Sequence, residues 1–182
     1  MKPVYTAKIE HTRKTLTLLF RTQYYTFEKT GIAVRFCVGL VLVFLAVAVP
    51  LPVWARALLL LPGTWLAVST DFPAQVQADK VVSARKGKLP VMQYEFFADS
   101  VKVSGEGSMN LTYKSFSALR YDTEYCYLII SRESICMMEK PDNWEEFMKF
   151  AAGKTGLTWQ KDKSFLAMNL QDFRETFTRP RQ

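Results

Sequence analysis

The sequence has few of the side chains on which catalytic and metal sites most often depend. Its 182 residues contain one histidine, His11, and three cysteines, without CxxC or HxxxH spacing. Structural zinc sites use pairs of closely spaced cysteine or histidine ligands, so the sequence does not indicate one. A single histidine also gives little support for a histidine-based catalytic dyad. P-loop, GxSxG, HExxH and dinucleotide-binding motifs are missing as well. We therefore expect no enzyme, no cofactor and no bound metal.

The three cysteines also give little reason to expect a disulfide. Cys37 lies inside a long apolar run, and Cys126 and Cys136 lie in strand-like segments. Free cysteine packs as a small apolar side chain, and disulfides are rare in reducing compartments. We interpret all three as packing thiols in a reducing compartment.

Two long apolar runs are the strongest pattern in the chain. Residues 32–49 and 53–70 each form an 18-residue run with one charged side chain near its start, Arg35 or Arg56. As helices they would each be about 27 Å long, close to the thickness of a bilayer's hydrocarbon layer, and such arginines can reach the headgroups. A core helix of a soluble protein normally has a polar stripe, which neither run has. The pattern predicts a transmembrane hairpin with a Pro-Leu-Pro turn.

The net charge of +7 is unevenly distributed. Residues 1–31 carry six Lys/Arg against two acidic residues, residues 71–90 carry four against two, and residues 157–182 carry five against three. Residues 91–156 carry seven against ten. A basic surplus beside the apolar runs follows the positive-inside rule, whereas nucleic-acid binding needs a basic globular face. We expect a multi-pass membrane protein with both termini cytoplasmic and no nucleic-acid partner.

Residues 1–31 contain a predicted strand and a predicted amphipathic helix. The segment VYTAKIE alternates as a half-buried strand does, and Thr12 is a candidate cap for a helix with Leu16, Leu19 and Phe27 at helical spacing. That helix either lies in the headgroup layer or packs on the soluble domain; we favour the headgroup layer. The basic side chains predicted to contact the membrane surface are Arg13, Lys14, Arg21, Lys29, Arg35, Arg85, Lys86 and Lys88.

The region after the second run changes from helical to strand-like periodicity. Residues 71–90 predict a juxtamembrane helix or a continuation of the second span, and Val91 begins about five strands with short polar turns. A helix then follows, with Trp144, Phe147 and Met148 on one apolar face and acidic residues in its first turn. The predicted fold is α+β: a transmembrane hairpin joined to a small antiparallel half-barrel over residues 91–156, which this helix closes.

This arrangement resembles the YcxB-like family of bacterial membrane proteins over residues 4–156. The segments that carry the resemblance are YEFFADSVKVS, LTYKSFSALRYDTEYCYLIIS and MMEKPDNWEEF. The resemblance implies a bacterial inner-membrane location and a cytoplasmic domain like pleckstrin-homology modules. It also implies that VYTAKIE joins the sheet, which would make the two spans an insertion. It transfers no catalytic residues.

Three functions are compatible with these patterns. The first is a membrane-anchored interaction or scaffold module that binds an unknown protein partner, for which a strand edge or a groove beside the helix is available. The others are a module that senses anionic lipid and a small transporter or channel subunit formed as a homo-oligomer. We expect residues 157–182 to form a C-terminal amphipathic extension that docks on its own domain, on a partner or on a second copy. We favour the interaction module.

The charge pattern makes a direct prediction about topology. Reporters fused at residue 1 and at residue 182 should both give a cytoplasmic signal, because the basic flanks are retained inside. A tag inserted between Pro50 and Pro52 should be accessible from outside. A periplasmic signal from either terminus would contradict the assignment.

Overall fold

The computed structural model describes residues 2–69 and 71–162, with Lys29 described by its backbone alone. The chain is α+β, as predicted, with five helices and two mainly antiparallel sheets among these residues. The described residues divide into two compact units. The sheet unit comprises residues 2–19 and 78–162, and the helical unit comprises residues 20–69 and 71–77.

The first sheet of the sheet unit contains the N-terminal strand. Its strands are β1 (Tyr5–Glu10), β2 (Val91–Phe96), β3 (Ser100–Ser104) and β4 (Ser108–Thr112), in the order β1-β2-β3-β4 and all antiparallel. Ile9 lies opposite Met92 and is fully buried, while its neighbours in β1 point to solvent. The alternation in VYTAKIE therefore does mark a strand with one buried face, and that strand joins the sheet.

The second sheet contains β5 (Ala118–Tyr121), β6 (Tyr125–Ile129), β7 (Ile135–Glu139) and β8 (Trp159–Lys161), in the order β7-β6-β5-β8. Its pairs are antiparallel except β5 with β8, which run parallel. The sequence predicts about five strands from Val91 onward, whereas the described structure has seven there.

One source of the difference is the segment MNLTYKSFSALRY, which reads as a single strand in the sequence. A 3₁₀ turn at Tyr113–Ser115 divides it into β4 and β5, which belong to different sheets. The hydroxyl of Tyr113 donates a hydrogen bond to the carbonyl of Phe97 at 2.7 Å, and the ring is buried in the core. The aromatic side chain therefore marks the corner between the sheets, where periodicity alone indicates uninterrupted strand.

Helix α5 (Trp144–Thr155) packs against both sheets. Phe147 is fully buried, with its ring centroid 4.9 Å from that of Phe96 and 5.5 Å from that of Tyr5. Trp144 and Met148 are half-buried at the margin of the same face. The helix ends at Gly156, whose φ of 70° is the left-handed conformation that glycine adopts most readily. The predicted closing helix thus covers the core where the sequence places it.

The helical unit contains the two apolar runs. Helix α2 (Lys29–Ala48) follows α1 (Arg13–Phe27), and α3 (Val53–Val68) precedes α4 (Phe72–Ala84); α1 and α4 each extend from one unit into the other. One stretch of the described residues, Thr30–Ala48, is long and apolar enough to cross a membrane alone. Helices α3 and α4 meet that criterion only as a pair, with a bend of 69° between them.

The second run is therefore shorter as a helix than its apolar length suggests. The sequence predicts a span over residues 53–70, but α3 ends at Val68, about 24 Å after it begins. Ser69 leaves the helical conformation, and α4 begins as a separate helix with Pro73 in its first turn, where the missing N–H costs no helical hydrogen bond. Helix α3 continues through Pro62.

The first turns of α1 contact the sheet unit. Leu16 is buried, and Leu18 and Leu19 pack against the core cluster that contains Phe147. Of the two arrangements open to this amphipathic segment, the structure shows packing on its own domain for these turns. The apolar spacing is the same in both arrangements, so the sequence alone does not separate them.

The packing of α5 yields a test of the sheet unit. We expect Phe147→Ala to destabilise the unit by about 3–5 kcal/mol, because the ring is fully enclosed and its removal leaves a cavity. The exposed Glu145→Ala, on the same helix, should cost about 0.3 kcal/mol through the helix dipole. Protease resistance of the full chain in membranes measures both variants, and equal resistance would show that α5 does not hold the sheets together.

Candidate functional site

Helices α2 and α3 carry many exposed large apolar side chains. They include Phe44 at 68%, Leu58 at 64% and Leu61 at 71%. Others in the same two helices are Val34, Val38, Leu40, Val41, Val47, Val53, Trp54, Trp65 and Val68. Soluble monomers rarely expose contiguous apolar patches of more than a few hundred Å². Larger patches of this kind mark sites of interaction with protein or membrane.

Close backbone contact joins α2 to α3. A methyl group added at Gly39 would lie 2.8 Å from the carbonyl oxygen of Gly63 and 2.9 Å from the backbone nitrogen of Ala67. A methyl group at Gly63 would lie 3.0 Å from the carbonyl oxygen of Gly39 and from side-chain carbons of Leu42 and Val43. Gly63 and Ala67 form the small-xxx-small pattern by which membrane helices approach one another.

The open end of this hairpin is closed by polar and aromatic contacts. The hydroxyl of Tyr25 donates a hydrogen bond to Oδ1 of Asp71 at 2.8 Å, which joins the segment before α2 to the segment after α3. The rings of Trp65 and Phe72 pack edge to face with centroids 5.5 Å apart. Both ends of the hairpin therefore lie together, opposite the Pro-Leu-Pro turn.

Two of the basic side chains predicted to contact a membrane surface are paired within the sheet unit. Arg13 donates from Nε and Nη2 to the two carboxylate oxygens of Asp79, at 2.5 and 2.9 Å. These hydrogen bonds lower the pKa of the Asp79 carboxyl. The Lys14 ammonium lies 3.6 Å from Glu124. Both pairs are solvent-exposed, so they align neighbouring elements more than they stabilise them.

The other predicted basic residues are distributed differently. Arg85 forms an ion pair with Glu106, in the turn between β3 and β4. In the helical unit Arg35 donates a hydrogen bond to the hydroxyl of Tyr24 at 3.4 Å. Arg21 is half-buried, Lys86 and Lys88 are exposed, and the side chain of Lys29 lies outside the described residues. Arg13, Lys14 and Arg85 are thus each paired with a carboxylate that lies far away in the chain.

A polar cleft of about 410 Å³ lies on the sheet unit where β1 and β2 meet the turn before α5. Its charged lining consists of Lys8, Glu95, Glu139, Lys140 and Asp142. Two ammonium groups face three carboxylates there, so the cleft does not select strongly for ligand charge. Periodicity did not reveal it, because its walls come from segments far apart in the chain that only the sheet brings together.

An aromatic cluster lies beside the first turn of α5. The Lys140 ammonium is 5.3 Å from the ring centroid of Tyr121 and 5.1 Å from that of Trp144, within cation–π range. Trp159, in β8, packs against Trp144 with centroids 5.1 Å apart. The sequence interpretation singled out Trp144 but missed Trp159 and Lys140; the one available signal was a tryptophan soon after the helix-ending glycine.

The buried thiols are chemically quiet. Burial raises the pKa of the Cys136 thiol to about 12 and also raises the pKa of Cys126, so neither forms a thiolate near neutral pH. Both are free and pack in the core of the sheet unit. Within the part of the chain that the structure describes, no group of three or more His, Cys, Asp and Glu side chains is placed to hold a metal ion.

Comparison of the chain with protein-family models, with curated proteins and with solved structures gave no match.

The contact between α2 and α3 generates a stability prediction. We expect Gly39→Ala to lower the free energy of unfolding of the full chain by about 1–3 kcal/mol, since the new methyl group meets backbone atoms that cannot rotate away. The measured result is a lower unfolding midpoint in detergent. Gly31→Ala is the matched control in the same helix, because its added methyl group would meet its nearest neighbour at an ordinary 3.7 Å. A Gly39→Ala variant as stable as the control would contradict the close contact.

Proposed function

We propose that this chain is a membrane-anchored interaction module, in which the helical hairpin lies in a bilayer and the sheet unit recognises a protein partner at the cytoplasmic face. One observation carries the anchoring: α2 and α3 expose their large apolar side chains outward and contact each other through glycine backbone. A bilayer satisfies that surface, and small residues at the helix contact are the usual means of association within lipid.

The path of the chain supports a hairpin whose ends are on the same side. Strands β1 and β2 are hydrogen-bonded neighbours, so the chain leaves the first sheet for α1–α4 and returns to its adjacent strand. The Tyr25–Asp71 hydrogen bond joins the segments on either side of the hairpin. Together with the basic flanks, these features support the proposal of a two-pass membrane protein with both termini cytoplasmic. The YcxB-like resemblance implies that the membrane is a bacterial inner membrane.

The sheet unit is the recognition part of this proposal. Two small sheets with a helix packed across them are the elements of a pleckstrin-homology-like half-barrel, the architecture that the YcxB-like resemblance implies. Interaction with protein suits this unit better than binding of anionic lipid, because Arg13, Lys14 and Arg85 are each paired with a carboxylate.

Membrane integration provides the test. We expect the wild-type chain to remain with membranes after an alkaline carbonate wash and to float with them in a density gradient. The double variant Val41→Lys with Leu61→Lys, in the middle of the two helices, should be extracted to a large extent. Each lysine at a helix centre opposes insertion by about 2.5–3.5 kcal/mol.

A matched pair near the turn controls for added charge. Val47→Lys with Val53→Lys adds the same two charges at side chains that are at least as exposed but lie close to the Pro-Leu-Pro turn, from which lysine can reach water. This variant should float like the wild type. Release of the wild-type chain by carbonate, or full retention of the variant with central lysines, would overturn the proposal.

A further inference from the structure

Strand β8 is attached to the sheet unit in the way that an extended peptide is attached to a sheet edge. Its residues pair parallel with β5 in the register Leu119 with Trp159 and Tyr121 with Lys161. The backbone N–H of Asp162 continues this attachment with a hydrogen bond to the carbonyl of Tyr121 at 2.6 Å. Addition of a strand at an exposed edge is a general mode of peptide recognition, in which the backbone supplies affinity and side-chain pockets supply specificity.

An aromatic anchor holds the first residue of this strand. The Trp159 ring lies among the rings of Trp144, Tyr121 and Phe147, with centroid distances of 5.1, 6.3 and 6.2 Å. Its indole N–H donates a hydrogen bond to the carbonyl of Met148 at 2.9 Å. The Met148 carbonyl therefore favours tryptophan over phenylalanine at this position, because a phenyl ring has no N–H to donate to it.

A buried ion pair holds the chain three residues later. Nη1 of Arg120 lies 3.1 Å from Oδ1 of Asp162, and the two side chains are only 12% and 4% exposed. Nε of Arg120 is buried without a hydrogen-bond partner in the described chain. A carboxylate is needed at this position, since removal of one partner leaves the other charge buried and unpaired.

We propose that the β5 edge is a peptide-recognition site that residues 159–162 occupy in cis, and that its external partner is an extended protein segment with an aromatic side chain followed three residues later by a carboxylate. The proposal rests on the sheet unit being the recognition part of the function proposed above. Charge complementarity to Arg120 and the indole-orienting carbonyl of Met148 select this chemistry over other extended segments. Residues 159–162 then act as an internal competitor.

The short connection makes that competition strong. Only residues 156–158 separate α5 from β8, and short linkers give effective concentrations on the order of millimolar. A partner in solution therefore binds only weakly to the intact chain, unless it is concentrated at the same membrane or the internal strand is weakened. This predicts that weakening β8 increases the affinity for an external peptide of the same sequence.

The experiment uses the full chain in detergent micelles and a fluorescent synthetic peptide, GLTWQKDK, with the sequence of residues 156–163. We expect it to bind the Trp159→Ala chain at least tenfold more tightly than the wild-type chain. Replacing its tryptophan by alanine, or its aspartate by asparagine, should weaken this binding at least tenfold. Adding Arg120→Met to the host should abolish the effect of the aspartate replacement, because the two groups act as a pair.

Two further measurements do not require the Trp159→Ala chain to be stable. A second host, Asp162→Asn, weakens β8 while retaining Trp159 and should also bind the peptide more tightly than the wild type does. In the wild-type chain, amide hydrogens of β8 should exchange much faster than those of the central strand β6, because the internal strand must leave the edge independently of global unfolding.

Three results would contradict the proposal. Equal exchange protection of β8 and β6 would make β8 a permanent part of the core and overturn the proposal. The same conclusion follows if folded hosts bind the peptide no more tightly than the wild type, or bind it equally well without its tryptophan and aspartate. Concentration-dependent dimers of the wild-type chain that exchange β8 would identify a second copy as the occupant, which also contradicts an external partner. None of these results depends on carbonate extraction, so failure here is distinguishable from failure of the membrane anchor.

Discussion

The pairing of β1 with β2 is the constraint on which the remainder of the chain's path depends. These neighbouring strands are separated in sequence by the whole stretch from His11 to Pro90, which contains α1–α4. Closing a flexible loop of that length costs about 4 kcal/mol, plus a constant, in chain entropy. The contact of α2 with α3 lowers this cost because a helical hairpin already brings its own ends together, and burial of Ile9 and Phe96 stabilises the strand pair itself.

The same constraint determines how the apolar hairpin must be constructed. Because the chain returns to the strand next to the one it left, the helices between have to run out and back. Gly39 and Gly63 permit this with the two backbones in contact, and the Tyr25–Asp71 hydrogen bond holds the open end. Large side chains are then free to point outward, which is favourable in lipid and unfavourable in water. The out-and-back path of the proposed anchor thus follows from a strand pairing outside the helices.

In the sheet unit, the residues that would select a peptide beside β5 lie near the ends of helices and strands. Phe147 provides the central burial, but Trp144 and Trp159 at its margin and the Arg120–Asp162 pair decide which extended segment fits beside β5. A buried ion pair adds little net stability compared with apolar packing, yet a segment without the carboxylate incurs the full cost of an unpaired arginine. That asymmetry is suited to selecting a partner, and it is the physical basis for interpreting β8 as an internal ligand.

Local patterns in the sequence determined the apolar runs, the basic flanks, the alternation in β1 and the face of α5 that carries Phe147, because each depends on residues within one or two turns of each other. Tertiary structure alone decided the rest. The aromatic corner at Tyr113, the pairing of Arg13 with Asp79 and of Arg120 with Asp162, and the contact of Gly39 with Gly63 all join residues distant in the chain. Periodicity records which face of an element is buried; it contains no information about which distant side chain meets that face.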